Sequence, residues 1–463
     1  MSTLLGLDLG TSSFKVSAYD VRGTLRGTVS RATPWRDAPA GQELDPDDFG
    51  VAVQELVDEC AERFAHGSVA ACGVTGMAET MFVDTADGAR LPARAWNQRG
   101  SAVPPDPLPP EFARTGLIDS ARTPLVELRR LTRTGVAVTA WTGLPEQAVR
   151  VLGGRRAAER SLAARTGLID VPSGGWGSEL IAWAGVAGAD PPPLVSASSP
   201  VGTIRRGRAA GAVLAIAGHD HVTASVGADA GDGSVVFDSL GTGEALITRV
   251  ADSTEDISEE DVARFVAAGY NLSFGLREND VIAFGGLGTG NRYNVLLDAL
   301  ESAGYARADV YDEHFAPAGG AQRDSAERQP AELADILDRA FGPDWQALKN
   351  SGDATAAVQR AVADIDDARS LWWAAVLRSG RTARVSLDAL FSLVPHRDRV
   401  VAAGGWLANA GIRRVRARTM GAFDVPDVAQ AGTRGAALLA GLAAGVYASS
   451  AELPPLAPIQ ETR

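Results

Sequence analysis

Lysine is almost missing from this chain: Lys15 and Lys349 are the only two among 44 basic residues. Arginine supplies the rest, a skew that reads as genomic base composition but makes Lys15 conspicuous. Cysteine is equally scarce. With Cys60 and Cys72 alone, no disulfide framework is available, and a reducing cytoplasm is the expected setting. No uninterrupted apolar run of ~20 residues occurs, so no bilayer-spanning helix is expected. The N-terminus has no basic region followed by an apolar stretch, so no signal peptide is read there. Nor is there a basic stripe: 57 acidic residues leave a net charge of −13, which argues against nucleic acid as a partner. The remaining composition, 45% hydrophobic and 22% charged, is that of a soluble globular protein. At 463 residues the chain is long for one core, and two domains of roughly 200 residues are the natural expectation.

The informative stretch is Leu4–Asp20, LLGLDLGTSSFKVSAYD. Buried leucines followed by a small hydroxylated turn and a second strand read as a hairpin. Its turn, Gly10 to Ser13, is either a plain hairpin turn or a phosphate cradle, because small side chains let backbone amides approach an anion. Asp8 would then stand where a hydrated divalent cation meets that phosphate. A third strand is expected over 21–30, then a helix over Asp48–Phe64 with Asp47 or Asp48 as N-cap. Val69–Val74 reads as a buried strand ending at Thr75–Thr80. Polar residues follow at Trp96, Asn97 and Arg99, then a proline-rich loop over 101–110. Helices are expected over 124–132, 145–152 and 179–187. The heptapeptide ARTGLID occurs at Ala113–Asp119 and again at Ala164–Asp170, in flanks too different for a fold repeat.

The apolar strand Val213–Ala217 runs into Gly218-His219-Asp220-His221 and a helix. Asp220 is there either a base or a helix N-cap. A helix starting at Asp220 would splay His219 and His221 apart, and no third ligand is apparent, which speaks against zinc. From Ser234 the opening pattern returns as strand, Leu240-Gly241-Thr242-Gly243 turn, and strand. Two such hairpins suggest duplicated domains, 1–232 and 233–463, facing across a cleft. The second half adds a strand over 281–284, a glycine turn over 285–290 and a helix over 293–303. The region 317–353 is polar and irregular. A long helix over 355–390 is expected to break near Gly380. A strand over 400–403 closes on Gly404, Gly405 and Asn409, and a small-residue helix covers 435–446.

Five separated segments, in order, resemble the FGGY family of carbohydrate kinases. They are GLDLGTSSFK (Gly6–Lys15), GVTGMAET with AWNQR (Gly73–Thr80, Ala95–Arg99), and ARTGLID with Trp176 and AGHDHVTASVGA (Ala217–Ala228). SLGTGEAL (Ser239–Leu246) and AAGGWLAN with GTRGAALLAG complete the set. The resemblance covers about Leu4 to Tyr447. It implies an α/β, actin-like fold of the sugar kinase/Hsp70 ATPase, ribonuclease H-like type, with two similar domains around a central cleft. It also implies phosphorylation of a small sugar or polyol by ATP with Mg²⁺, a ketopentose or pentitol being the best guess. In that family pattern Asp220 is the general base, and Asp8 with Asp220 holds Mg²⁺ through water. Glu79, Thr80, Trp96, Asn97, Arg99 and His221 meet the acceptor. Gly10, Thr11, Ser12, Ser13 and Lys15, with Gly241, Thr242 and Gly243, hold the ATP phosphates. Gly288, Gly404, Gly405 and Asn409 approach adenosine, and a homodimer is the implied assembly.

The chain departs from the pattern in three places. Pro124 and Glu127 stand where a Lys and a Trp are usual, and the adenosine turn reads Ala403-Gly404-Gly405-Trp406. No SGER-like stretch is recognisable between Phe315 and Asp353. Glu79 matches glycerol kinases, whereas xylulose kinases usually carry His there. Two rivals are an actin/Hsp70-like ATPase acting on a protein partner and a catalytically weak sugar-sensing relative. The intact Asp8 and Asp220 speak against the latter.

Overall fold

A computed structural model describes the chain except residues 1, 40, 98–103, 278, 312–340, 342–350, 366–367, 396, 457–459 and 463. The elements that position the site are β1 (Thr3–Leu9), β2 (Ser13–Asp20), β3 (Leu25–Ala32), α1 (Pro46–Phe64), β4 (Val69–Gly76), α2 (Arg160–Ala164), β5 (Pro200–Thr203), β6 (Val213–His219) and α3 (Asp220–Gly227). They continue with β7 (Val236–Leu240), β8 (Glu244–Ala251), α4 (Thr289–Ser302), α5 (Ala368–Phe391), β9 (Val400–Ala403), α6 (Ala410–Met420), β10 (Phe423–Val425) and α7 (Ala431–Ala443).

The chain forms two units, and they are not simply its two halves. The first comprises Met1–Ser234, Ile247–Phe284 and Val428–Leu456; the second comprises Val235–Leu246, Gly285–Asp427 and Ala457–Arg463. The first crossing lies beside the boundary expected after residue 232. The return of 247–284 and 428–456 to the first unit has no signature in composition.

The first unit is built on a six-stranded sheet in the order β5-β6-β4-β1-β2-β3. β1 and β4 run parallel, as do β4 and β6, while β1, β2 and β3 form an antiparallel meander. Leu4, Leu5, Leu7 and Leu9 are all fully buried, because β1 is central and covered on both faces. One cover is α1, which buries Phe49, Val53, Leu56 and Val57 against the same core as Leu5, Leu7 and Val16. α1 begins at Pro46, earlier than expected. Its cap is Asp45, whose carboxylate accepts from Asp47 N and Asp48 N, so neither Asp47 nor Asp48 is the N-cap. Both cysteines are free and buried, their thiols pushed up to about 12 by burial.

The other cover is α7. Gly6 and Gly73 are register partners on β1 and β4, and together they make a gap that seats the helix backbone. A Cβ on Gly6 would stand 1.8 Å from Thr433 O, and one on Gly73 1.9 Å from Ala436 O. α7 packs as closely on α3: a Cβ on Gly227 would lie 1.8 Å from Ala431 O. Arg434 Nη1 adds a 2.8 Å hydrogen bond to Gly227 O, and Thr433 Oγ1 sits 2.7 Å from the Tyr19 hydroxyl. The sequence reading starts this helix at 435; the structure starts it at 431, so the residues that touch Gly6 and Gly227 lie in its first turn.

In the second unit β7 runs parallel to β9, and β9 to β10. Its helical core gathers Tyr293, Leu296, Leu371, Trp372, Val376 and Val415 from α4, α5 and α6. The expected break at Gly380 does not occur. Gly380 lies inside α5, where a Cβ would meet Thr419 Oγ1 at 2.0 Å; glycine there admits α6 rather than ending a helix. α4 starts at Thr289, four residues before the expected start, so part of the glycine turn is helix. The stretch 317–350 lies outside the described residues apart from Phe341. No helix among the described residues is long and apolar enough to cross a membrane.

Candidate functional site

Three parallel strands of the first unit end together. Asp8 pairs in register with Thr75, and Thr75 with Gly218, so β1, β4 and β6 bring Asp8, Thr75 and the Gly218–Asp220 turn side by side. Strand ends of an open α/β sheet are the usual place for ligand contacts. Gly218 has φ 100°, and a Cβ there would come within 2.8 Å of Ser161 Oγ, so only glycine lets β6 turn at this point. The turn is held from two sides. Thr75 Oγ1 donates to Gly218 O at 2.7 Å, and Thr223 Oγ1 donates to Ala217 O at 2.7 Å. On the other side His219 N–H donates to Ser161 Oγ at 2.9 Å, and Ser161 Oγ donates to Glu159 Oε2 at 2.6 Å. Glu159 is buried and also caps α2 through Ser161 N and Leu162 N.

Asp220 is the first helical residue of α3, with His219 as the cap position, so its carboxylate is not spent as an N-cap. Its Oδ1 accepts from His221 N at 2.7 Å and lies 3.0 Å from His219 Nδ1, and a third of the side chain (33%) remains exposed. Burial would raise its pKa. The neighbouring charges of His221 and His219, with the hydrogen bond from His221 N, outweigh that and hold the carboxyl well below its usual range. At neutral pH it is therefore an ionised acceptor. The two histidines do not splay, contrary to expectation. Their rings stack at 5.6 Å and 21°, because both pack edge-on against Phe284, at 5.3 and 5.8 Å.

Asp8 is the counterpart. Its Oδ1 is buried without a hydrogen-bond partner, and its carboxyl is pushed up to about 7, chiefly by burial and then by the charge of Asp220, with Lys15 opposing. Lys15 is its register partner on β2. The turn after Asp8 is tied back at three successive carbonyls. Thr33 Oγ1 donates to Gly10 O at 2.8 Å, Trp35 Nε1 to Thr11 O at 2.7 Å, and Thr33 N to Ser12 O at 3.2 Å. An anion-binding turn needs its carbonyls occupied in this way, since a free one facing a phosphate repels it.

Of the expected acceptor residues, Glu79 and His221 join this cluster. Glu79 Oε1 takes Arg165 Nε at 2.9 Å and Nη2 at 2.6 Å, and that guanidinium lies 5.4 Å over the Phe284 ring. Burial works against ionisation of Glu79, but Arg165 and His219 win and its pKa is lowered. Thr80 is buried and turned to Met77 Sδ. Trp96 gives its Nε1 to Thr11 Oγ1 at 3.0 Å, placing it against the turn itself, while Asn97 is exposed. Arg99 lies outside the described residues. Sequence reasoning missed Arg165, Phe284, Ser161 and Glu159 as parts of the site. The repeated ARTGLID, which contains Arg165, was the one signal available.

The second unit gathers the other expected turns. A Cβ on Gly404 (φ 142°) would stand 2.0 Å from Leu240 O, and one on Gly290 1.8 Å from Gly241 O. The Gly241–Gly243 turn is thus seated between the β9 turn and the start of α4, whose cap position is Gly288 (φ 61°). Gly405 has open space around it. Asn409 is buried and spent at both ends: Oδ1 caps α6 at Ile412 N, 3.1 Å, and Nδ2 donates to Tyr311 O, 3.0 Å. Trp406, which follows Gly404 and Gly405, packs edge-on against Tyr293 at 5.1 Å.

No family model matches the chain. Over 224 residues it is 27% identical to a glycerol kinase of Alkalilimnicola ehrlichii, a stretch covering 44% of this chain and 45% of that protein. The match therefore spans about half the length of that curated relative. Several solved structures are similar over nearly all of the chain. A ligand-bound xylulose kinase from Lactobacillus acidophilus superposes with TM-score 0.75 at 18% identity, covering 99% of this chain and 93% of that one. A Plasmodium falciparum glycerol kinase with ADP superposes with TM-score 0.71 at 15% identity, covering 99% and 94%. The chain has the actin-like α/β fold of the sugar kinases, and the likeness to carbohydrate kinases read from its motifs is borne out at the level of fold.

Proposed function

We propose that this chain is an ATP- and Mg²⁺-dependent kinase that phosphorylates a hydroxyl of a small sugar or polyol, a ketopentose or pentitol being the first to try. The observation that carries the reading is Asp220: an ionised, partly exposed carboxylate at the end of a buried parallel strand that runs in the same sheet as the strand of Asp8. Phosphoryl transfer asks little covalent work of a protein beyond positioning the acceptor, taking its proton and neutralising charge. In this reading the acceptor hydroxyl donates to Asp220. As its oxygen bonds to the γ-phosphorus, the proton passes to the Asp220 carboxylate and the bond to the β-phosphate oxygen breaks, releasing ADP. Glu79, His221 and Arg165 orient the acceptor in the first unit. In the first unit the Gly10–Ser13 turn with Lys15 is read as a phosphate-binding turn; in the second unit the Gly241–Gly243 turn with Gly288, Gly404 and Gly405 is read as a nucleotide-binding turn.

The residues present fit a magnesium ion. The charge of Asp220 raises the pKa of Asp8, and Asp8 carries an orphaned buried oxygen; a cation beside the two carboxylates would stabilise the ionised form of both. Among the described residues no group of three or more His, Cys, Asp or Glu side chains is arranged to hold a metal. A cation here would rest on Asp8, Asp220 and water, and when bound it would neutralise phosphate charge.

The test is ADP release from Mg·ATP over glycerol, tetritols, pentitols, ketopentoses, deoxy sugars and sugar acids. A single strong responder is expected. Nucleotide turnover indifferent to every acceptor would sink the kinase reading and favour an ATPase. A second outcome checks the acceptor site. Glu79→Gln frees Arg165 from its place over Phe284, and loss of one charge-assisted contact should raise the acceptor KM about tenfold, leaving the KM for Mg·ATP in place. An unchanged acceptor profile would put the acceptor elsewhere.

A further inference from the structure

Beneath the Gly241–Gly243 turn lies a fully buried charge triad. Arg416 of α6 has no exposed side-chain surface, and Asp238 and Glu244 have 1% and 0%. Arg416 Nη2 donates to Asp238 Oδ2 at 2.9 Å and makes a short contact with Glu244 Oε1. Asp238 stands two residues before Leu240 in β7, and Glu244 opens β8 directly after Gly243. One guanidinium therefore ties both feet of the turn.

As a way of filling a core this is poor. Asp238 Oδ1, Glu244 Oε2, Arg416 Nε and Arg416 Nη1 are buried without hydrogen-bond partners. Two carboxylates face one guanidinium, and the Asp238 carboxyl is pushed well above its usual range, by burial first and by Glu244, against the pull of Arg416. Well-packed apolar residues of similar volume commonly serve stability as well or better than such a cluster. What the triad supplies is geometry, because a planar guanidinium fork fixes distances and directions that apolar contacts leave loose. The turn needs that. Gly404 and Gly290 let the chain approach the turn closely but contribute no side chain to grip it.

We infer that Arg416 is a positioning residue, holding the Gly241–Gly243 turn in the geometry that receives the nucleotide phosphates through Asp238 and Glu244. The inference rests on the reading of that turn as nucleotide-binding. Its test is direct titration of the full chain with Mg·ATP, together with steady-state KM values for ATP and acceptor. Arg416→Met alone strands two buried carboxylates and is expected to lower the melting temperature sharply. The triple change Asp238→Val, Glu244→Leu, Arg416→Met removes the charges together. It should melt within a few degrees of the wild type, yet bind Mg·ATP at least about tenfold more weakly with the acceptor KM unmoved, because a small misplacement of contacting groups is expensive. Arg416→Lys should recover part of the lost affinity. Should the triple variant fail to fold, Glu244→Leu alone unties one foot of the turn while leaving the guanidinium paired with Asp238, and carries the same expectation. A folded variant that binds Mg·ATP like the wild type overturns the inference while leaving the kinase reading intact. A wild type that binds no nucleotide overturns both.

Discussion

Asp220→Asn should lower acceptor-dependent turnover by about 10²–10⁴-fold, the usual contribution of a positioned base, while Mg·ATP still binds. The asparagine keeps the shape and can still accept from His221 N, so the strand end should hold its form. What is lost is the lone pair that takes the proton. A variant retaining more than about a tenth of the wild-type rate would remove Asp220 from the role of base. A small loss of stability should accompany the loss of rate. Because the folded pKa is depressed, the ionised carboxylate stabilises the fold above its ordinary range, and that contribution fades as pH falls. The difference in melting temperature between wild type and Asp220→Asn should therefore shrink on acidification, a readout independent of turnover.

Gly73→Ala should be among the most destabilising single-methyl changes in the chain. The added carbon would stand 1.9 Å from Ala436 O, a backbone atom of α7 that cannot rotate away. Either the helix lifts off β4 or the strand bends, at a cost of about 3 kcal/mol for overpacking. The melting temperature should fall by roughly 5–10 °C. Gly188→Ala is the matched control, since nothing lies within 4 Å of a Cβ there. Equal melting temperatures for the two variants would mean that the Gly6–Gly73 gap does not seat α7 as described. The displaced helix also carries the backbone facing Asp8: a Cβ on Gly432 would lie 3.1 Å from Asp8 Oδ2. Gly73→Ala should therefore also reduce turnover in the fraction that remains folded.

Much of this site was legible because its parts are local. The hairpin at Leu4–Asp20, the strand into Gly218-His219-Asp220 and the turns at Gly241 and Gly404 each announce themselves through apolar runs ending in small residues. Polar groups that act across long separations were not legible. Arg165 reaches Glu79 over 86 positions, and Arg416 reaches Asp238 over 178. Nothing in spacing marks such partners, and a chain so rich in arginine hides the few that are buried among the many that are solvated. Helix caps failed for a related reason. Three acidic residues compete at Asp45, Asp47 and Asp48, and Pro46 decides between them by taking the first helical position. Stacking of His219 on His221 required knowledge of Phe284, which lies far along the chain from both.

The seating of α7 in the Gly6–Gly73 gap has a consequence for synthesis. The first unit opens the chain, yet its sheet lacks one cover until residues 431–443 have been made. On the ribosome, then, β1, β4 and β6 must wait with one apolar face open while most of the second unit emerges. Closure of the first unit is thereby delayed until residues 431–443 have been made, and closing contacts between residues over 400 apart carries the slow kinetics of non-local topologies. Nascent chains stalled before residue 431 should be readily cleaved by protease in the β1–β6 region, and chains released beyond residue 456 should resist it.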